Sequence, residues 1–414
     1  MEEALVKGAA GSLIQKDRLE KKGIRDWPGK FVVRVEDVLQ ALGDLARSWH
    51  HRHPVPVVAI TGSNGKTTTK EMTALILGKK FTVLKTEGNW NNLIGLPLML
   101  LKLAPEHEVA VLEMGMSVPG EIRRLRAIAE PKISTICNIG HAHLEFLGDI
   151  EGVARAKGEL WEGTGEDDWI AVNLDDPRVA ERAAAVRCRK LTFGILRKAD
   201  LTARDLSLRK GKGMRFSLAV EGAKRSVQLS TFGKHHVYNA LTAAALAKIL
   251  GISLEGIVAG LEEFQPLAGR GKILRLGRNI HIMDESYNAN PDSLQATLAA
   301  FEEAKGKSRG LLVMGDMLEI GSSSPAEHAK MGEWVAHRGL AYLIFFGEKA
   351  QDLAQGAQTG GAAKGKILVA PTREEAVKKL EEIMEDGDWV LVKGSRAMRM
   401  EGIIQGLEGL WGRG

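Results

Sequence analysis

The chain has 414 residues, 44% hydrophobic and 26% charged, with 57 basic and 52 acidic side chains and a net charge of +5. This is the composition of a globular protein of two to three domains, and the small charge excess does not argue for a nucleic-acid partner. Three Tyr and ten Phe make no stacking surface, and two cysteines make no disulfide framework.

Met1-Glu2-Glu3 is acidic where a signal peptide is basic, and the apolar stretch Leu93–Leu101 is short and holds Pro97. A cytoplasmic protein with no membrane insertion is expected. Residues 1–53 read as a partial domain: a helix end, a glycine turn (Gly8, Gly11) and one strand, then strand Phe31–Val35 and an amphipathic helix Val38–Trp49. That is little for an independent core. His51-Arg52-His53-Pro54 reads as a linker with solvated histidines.

Residues 54–266 alternate strand and helix, which predicts a parallel sheet covered on both faces. The expected strands are Val57–Ile60, Thr82–Lys85, Val109–Met114, Ile133–Asn138 and Trp169–Asn173. The first runs into Thr61-Gly62-Ser63-Asn64-Gly65-Lys66-Thr67-Thr68, and a helical pattern follows through Leu77. Strand, glycine loop and helix form a phosphate-binding loop. Gly62 and Gly65 let the backbone approach an anion, Lys66 reaches the terminal phosphates, and the Thr67 hydroxyl holds Mg²⁺. The generic motif places its first glycine where Ile60 stands, so this loop is a variant.

Ligands of such sheets bind at the carboxyl ends of the strands. Those ends carry Asn89-Trp90-Asn91-Asn92, Glu113-Met114-Gly115, and Asn138, His141, His143 and Glu145. Glu113 and one histidine beside Thr67 would make a divalent-metal shell. Lys157 reads, on physics alone, as a solvated helix lysine. Asp175-Asp176-Pro177-Arg178 reads as turn chemistry. Residues 200–230 suggest a small antiparallel excursion. Gly233–Asn239 then opens an alanine-rich helix in which Asn239 is unfavourable by propensity, a hint of a side-chain role.

Residues 267–414 restart the pattern. Strands are expected at Ile280–Met283, Gly310–Met314, Tyr342–Phe346, Lys366–Val369 and Trp389–Val392. Polar clusters follow three of them: Asp284–Asn290, Gly315–Glu319 and Lys393–Arg396. This is a second, Rossmann-like α/β domain. An ATP–Mg site facing a second α/β domain suits either a kinase or a ligase that activates a carboxylate as an acyl phosphate. Composition does not choose between them.

Ten motifs run in order along the chain. They are TGSNGKTT (61–68), EGNWNNLIGLP (87–97), LEMG (112–115), AHLEFLG (142–148), ARAKGELW (154–161), GKHHVYNAL (233–241), GR (269–270), DESYNANPDS (284–293), GDMLEIG (315–321) and VKGSR (392–396). In these the chain resembles the Mur ligases, and most of all their MurF type. The resemblance implies an ATP-dependent amide ligase joining D-alanyl-D-alanine to UDP-N-acetylmuramoyl-tripeptide through an acyl phosphate, in cytoplasmic peptidoglycan precursor synthesis.

The resemblance also implies residue roles. Gly62, Ser63, Asn64, Gly65, Lys66, Thr67 and Thr68 hold the ATP phosphates. Thr67 and Glu113 serve one Mg²⁺ and His143 a second. Lys157 is the lysine that becomes carbamylated, and so a metal ligand and catalytic group beside Lys66 and His143. Asn239 and Arg270 contact the nucleotide, and Glu285 lies near its ribose. Asn89, Asn91 and Asn92 face the UDP-peptide, and Tyr287, Asn288, Asn290, Lys393, Ser395 and Arg396 help place the dipeptide. A monomer is expected. Two departures stand out: His236 replaces the asparagine of the family's His-Asn-x-x-Asn, and the N-terminal UDP-substrate domain reads as truncated, with weakened binding of that substrate expected. Another Mur or folylpolyglutamate-type ligase, or a nucleotide-binding protein impaired in catalysis, are the alternatives.

Overall fold

A computed structural model describes residues 2–19, 29–209 and 211–412. Among these residues the strands form three sheets. The smallest pairs β1 (Gly11–Gln15) with β2 (Phe31–Val35) in parallel. The helix Val38–Arg52 follows, its first turn closed by the Asp37 carboxylate, which accepts from Gln40 N at 2.8 Å.

The expected linker at His51–Pro54 is partly helix: His51 and Arg52 belong to its last turn. Anchoring explains the extension. Trp49 Nε1 donates to the Leu103 carbonyl at 2.9 Å, the His50 ring meets the Val55 carbonyl, and Arg47 and His51 both reach Glu130.

The second sheet holds β3 (Val57–Thr61), β4 (Val83–Lys85), β5 (Val109–Glu113), β6 (Ile133–Ile136), β7 (Trp169–Asn173), β8 (Arg189–Gly194), β9 (Leu201–Arg209), β10 (Gly213–Val220) and β11 (Ala223–Gln228). Their spatial order is β11-β10-β9-β8-β7-β6-β3-β5-β4. The strands from β4 to β8 are parallel, and β9, β10 and β11 run antiparallel to one another, the expected excursion, extending the same sheet.

β3 is buried along its whole length because it is covered twice. Val58 and Ile60 face the helices Lys66–Leu77 and Lys234–Ile249, packing with Met72, Ile76, Val237 and Leu241. Val57 and Ala59 face the opposite layer with Leu96, Leu112 and Leu125. The period-two alternation of a strand thus feeds two apolar layers, which is why the sequence reads as an unbroken apolar run.

From β3 the chain crosses to β4 and β5 on one flank and returns to β6 on the other. The carboxyl end of β3 is therefore the topological switch point, where a crevice opens.

The third sheet has the order β12-β13-β17-β14-β15-β16, built from β12 (Lys272–Arg275), β13 (His281–Glu285), β14 (Gly310–Gly315), β15 (Tyr342–Phe346), β16 (Ile367–Ala370) and β17 (Trp389–Lys393). Five strands are parallel and match the expectation. β12 is an antiparallel edge strand that the sequence did not announce. Its four residues, KILR, are too few to show alternation. β8 was missed as well, since Arg189 and Lys190 open it exposed.

Candidate active site

The phosphate loop is built by the strand that precedes it and the strand beside it. Thr61 Oγ1 donates to the Met114 carbonyl at 2.8 Å. Asn64 N donates to Asn138 Oδ1, and Asn138 Nδ2 donates back to the Asn64 carbonyl, both at 2.9 Å. Ser63 Oγ exchanges hydrogen bonds with the backbone of Gly140. The end of β6 thus clamps the loop in shape.

Two glycines have steric reasons. A Cβ on Gly62 would stand 2.9 Å from Cys137 Cβ. Gly65 has φ +82° and lies so close to Asn239 that a Cβ there would collide with Oδ1. Behind Gly65 starts the helix Lys66–Leu77, whose first-turn amides have no intrahelical acceptor and point into the loop.

Lys66 Nζ donates to the Gly62 carbonyl at 2.9 Å. Burial holds its pKa below the usual lysine value, while the Glu113 charge works the other way. Thr67 Oγ1 donates to Glu113 Oε2 at 2.8 Å, and Asn91 Nδ2 donates to Oε1 at 2.8 Å. The Glu113 side chain, at the end of β5, is therefore held at both oxygens, with Oε2 on the helix start and Oε1 on the loop after β4.

His143 has φ +56° and its Nδ1 lies 2.6 Å from Glu319 Oε2. That close contact with the imidazole holds the Glu319 carboxyl below its usual range, although burial works against it. Lys157 is 1% exposed, with no hydrogen bond or ion pair among the described residues. Burial first, and then the charge of Lys66, push its pKa well below the ordinary lysine value. Reading Lys157 as a solvated lysine on physics alone is thus overturned: helix Ile150–Gly158 packs that face inward.

The second half of the site comes from the third sheet. Arg270 stacks its guanidinium 3.8 Å from the centre of the Tyr287 ring. Lys393 Nζ donates to the Asn288 carbonyl at 3.0 Å and lies 3.5 Å from Glu285 Oε2. Burial lowers the Lys393 pKa and raises that of Glu285. Asn290 Nδ2 donates to Asn64 Oδ1 at 2.9 Å, and Asp292 accepts from His141 N at 2.6 Å. These contacts join the two α/β units directly across the phosphate loop.

Two cavities meet there. The larger, about 640 Å³, is bounded by Lys66, Thr67, Asn89, Asn91, Asn92, Glu113, His143, Tyr287, Asn290, Ser395 and Arg396. The smaller, about 430 Å³, is bounded by Thr68, His235, His236, Asn239, Glu285 and Lys393. Asn64, Gly65, Arg270, Tyr287 and Asn288 border both.

Every residue expected at the site borders one of the two cavities except Gly62 and Lys157. Two substrate-facing expectations are modified by internal bonds. Asn91 is spent on Glu113, and Asn92 Oδ1 accepts from Ile94 N and Gly95 N at the start of a short helix. Asp175-Asp176-Pro177-Arg178 is structural, as read. Asp176 caps the helix Pro177–Ala184, and Asp175 accepts from three backbone amides and the Tyr238 hydroxyl.

Sequence reasoning missed Glu319 and Asp292. Both stand inside recognised motifs, but nothing local says that they pair with His143 and His141 of the other unit. It also missed Lys70, 1% exposed, whose Nζ donates to the Thr86 carbonyl at 2.6 Å.

The donor set fits an Mg²⁺–nucleotide. The carboxylate and hydroxyl of Glu113 and Thr67 are hard oxygen donors beside a glycine cradle that a Cβ would fill.

Residues 60–247 match the Mur ligase middle domain, and residues 269–396 match the family "Mur ligase, glutamate ligase domain". The chain is 34% identical over 376 residues to the UDP-N-acetylmuramoyl-tripeptide–D-alanyl-D-alanine ligase of Bacillus subtilis, covering 91% of this chain and 81% of that one. A crystal structure of MurF from Acinetobacter baumannii superposes with a TM-score of 0.85 at 33% identity, over 93% of this chain and 84% of the other. MurF ligase from Thermotoga maritima in complex with ADP superposes with a TM-score of 0.86 at 28% identity, over 99% and 90%. The chain belongs to the Mur ligase family and falls with its MurF members.

Proposed function

We propose that the chain joins D-alanyl-D-alanine to UDP-N-acetylmuramoyl-tripeptide with cleavage of ATP to ADP and phosphate. One observation carries the reading: the Lys66–Thr67–Glu113 cluster at the sheet's switch point looks across the 640 Å³ cavity onto the polar strand ends of the third sheet. The relatives' names supply the substrates.

The tripeptide carboxylate attacks the γ-phosphorus of ATP, the bond to the ADP oxygen breaks, and an acyl phosphate forms. The amine of D-alanyl-D-alanine then attacks the acyl carbon and loses its proton; phosphate leaves and the amide remains. Both steps bring anions together, so the protein's work is positioning and charge stabilisation. The loop Gly62–Thr68 and Lys66 hold the phosphates. Thr67, Glu113 and His143 would hold Mg²⁺, which supplies Lewis-acid stabilisation of the phosphoryl oxygens. Asn239, Arg270 and Glu285 take the nucleoside end. Tyr287, Asn288, Asn290, Ser395 and Arg396 place the dipeptide, Lys393 braces them from the smaller cavity through the Asn288 carbonyl, and Asn89 lies on the side of the UDP-peptide.

Lys157 suits carbamylation. Among the described residues the buried amine has no carboxylate partner, and its lowered pKa favours the neutral form that attacks CO₂, forming an N–C bond as its proton leaves. The product is an anion in place of a cation.

The division of labour follows the sheets: residues 1–53 toward the UDP end, 54–266 for ATP, 267–414 for the dipeptide. Both halves of the cleft come from one chain, so the proposed monomer holds a whole site. No helix among the described residues is long and apolar enough to cross a membrane, in keeping with the cytoplasmic setting proposed.

The test is free-phosphate release with Mg-ATP, UDP-N-acetylmuramoyl-tripeptide and D-alanyl-D-alanine, omitting each in turn. Release that requires all three, with a product heavier by the dipeptide, is expected. Release that proceeds equally with unrelated acceptor amines would overturn the assignment.

A further inference from the structure

His235 and His236 open the helix Lys234–Ile249, in the first α/β unit, and Glu285 ends β13, in the second. The two imidazole rings are centred 4.2 Å apart. One ligand atom from each of the three residues lies within 4.8 Å of the other two. His236 is 3% exposed, and among the described residues neither of its ring nitrogens has a hydrogen-bond partner. Nδ1 of His235 is unpartnered too. Buried polar groups are normally satisfied, so an imidazole left unsatisfied at both nitrogens requires a reason. Room has also been kept: a Cβ on Gly271 would stand 3.0 Å from His236 Nε2 and 3.3 Å from Glu285 Oε1.

We propose that His235, His236 and Glu285 form a site for a divalent transition-metal ion of the Zn²⁺ class, tying the two α/β units together across the nucleotide cavity. Two imidazoles and a carboxylate are the donor set of such borderline ions, whereas Mg²⁺ takes oxygen ligands. Histidine binds metal as the neutral ring. Burial drives the His235 pKa down to about 4 and that of His236 well below its ordinary value, so both rings offer lone pairs at neutral pH. Bonds of about 2.0 Å set tetrahedral ligand atoms roughly 3.3 Å apart, which side-chain rotation can reach from the present spacing. Lys393 is the local competitor for Glu285, at 3.5 Å, and burial already weakens its hold on its proton.

The ion would sit in the 430 Å³ cavity bordered by Asn239, Arg270 and Glu285, the residues proposed to take the nucleoside end, so metal and nucleotide exclude each other. That second clause rests on the nucleotide reading; the metal site itself does not.

The full chain is titrated with Zn²⁺ by calorimetry and with Co²⁺ by visible absorption, as wild type and as His235→Ala, His236→Asn and Glu113→Gln. One ion per chain is expected, bound at least tenfold more weakly in each histidine variant and unchanged in Glu113→Gln. The Co²⁺ d–d band should disappear in His236→Asn, and thermal melting without metal confirms that each variant is folded. No uptake by the wild type, uptake indifferent to both histidines, or uptake lost only with Glu113 would each overturn the proposal. ADP should weaken Zn²⁺ binding. Histidine-dependent uptake without ADP competition would keep the metal site and overturn the nucleotide placement instead.

Discussion

Thr67 Oγ1 and Glu113 Oε2 are joined by a 2.8 Å hydrogen bond, one residue from the helix that opens after β3 and the other from the end of β5. Asn91 holds the second oxygen of the same carboxylate. The pair fixes where a cation would sit against the phosphate loop. Glu113→Gln should lower turnover by roughly 10²-fold or more, the scale of losing one preorganised charge. Asn91→Ala should raise the Mg²⁺ concentration for half-maximal rate by about 10–100-fold, as loss of a supporting hydrogen bond to a metal ligand does. Mg²⁺ titrations of initial rate measure both; an Asn91→Ala enzyme with normal Mg²⁺ dependence but a raised KM for the UDP-peptide would return that residue to the substrate.

Gly65 combines a left-handed φ of +82° with direct contact to Asn239. Gly65→Ala should cost about 1–2 kcal/mol from the backbone alone. It should also displace Asn239 and abolish detectable ADP binding by calorimetry. Adding Asn239→Ala removes the collision but not the backbone strain, so the double variant should regain stability only in part.

Lys157 is buried with a depressed pKa and, among the described residues, without an anionic partner. The neutral amine needed for carbamylation grows as pH rises through its lowered pKa, so modification begins at lower pH than for an exposed lysine. Carbon-13 NMR of protein equilibrated with labelled bicarbonate should show one carbamate signal, absent in Lys157→Arg and lost on acidification. Activity of Lys157→Arg should fall by roughly two orders of magnitude, the scale of a removed electrostatic group. A Lys157→Arg enzyme of full activity would dispose of the role.

Glu319 has its pKa lowered by its close contact with the His143 ring. Such a carboxyl contributes stability above its unfolded pKa and loses it as pH falls through the lower folded value. Glu319→Gln should therefore lower the thermal midpoint at pH 7 and converge with the wild type in acid. The side chain is 47% exposed, so solvent screening keeps the effect under about 1 kcal/mol. A difference that persists unchanged at the acid end would assign the loss to packing.

The α/β class, the phosphate loop and most of the parallel strands could be read from residue order alone. Local rules govern them: apolar runs make doubly covered strands, and a glycine loop between strand and helix makes an anion site. Glu113 was found the same way, because parallel sheets gather their carboxyl ends on one side. Residues joined across the two α/β units could not be found so. His143 with Glu319, Asn64 with Asn290, and His236 with Glu285 are close only because two sheets face each other, and no periodicity encodes that.

Lys157 shows the boundary most sharply. Its local sequence, Val153-Ala154-Arg155-Ala156-Lys157, reads as an ordinary helix face. Only packing makes that face interior and brings it under the charge of Lys66. By itself the sequence determined which chemistry the chain carries and on which strand ends. The tertiary structure decided which of those groups meet, which are desolvated, and so which protonation states they hold. Desolvation and long-range juxtaposition are properties of the packed chain, not of any segment of it.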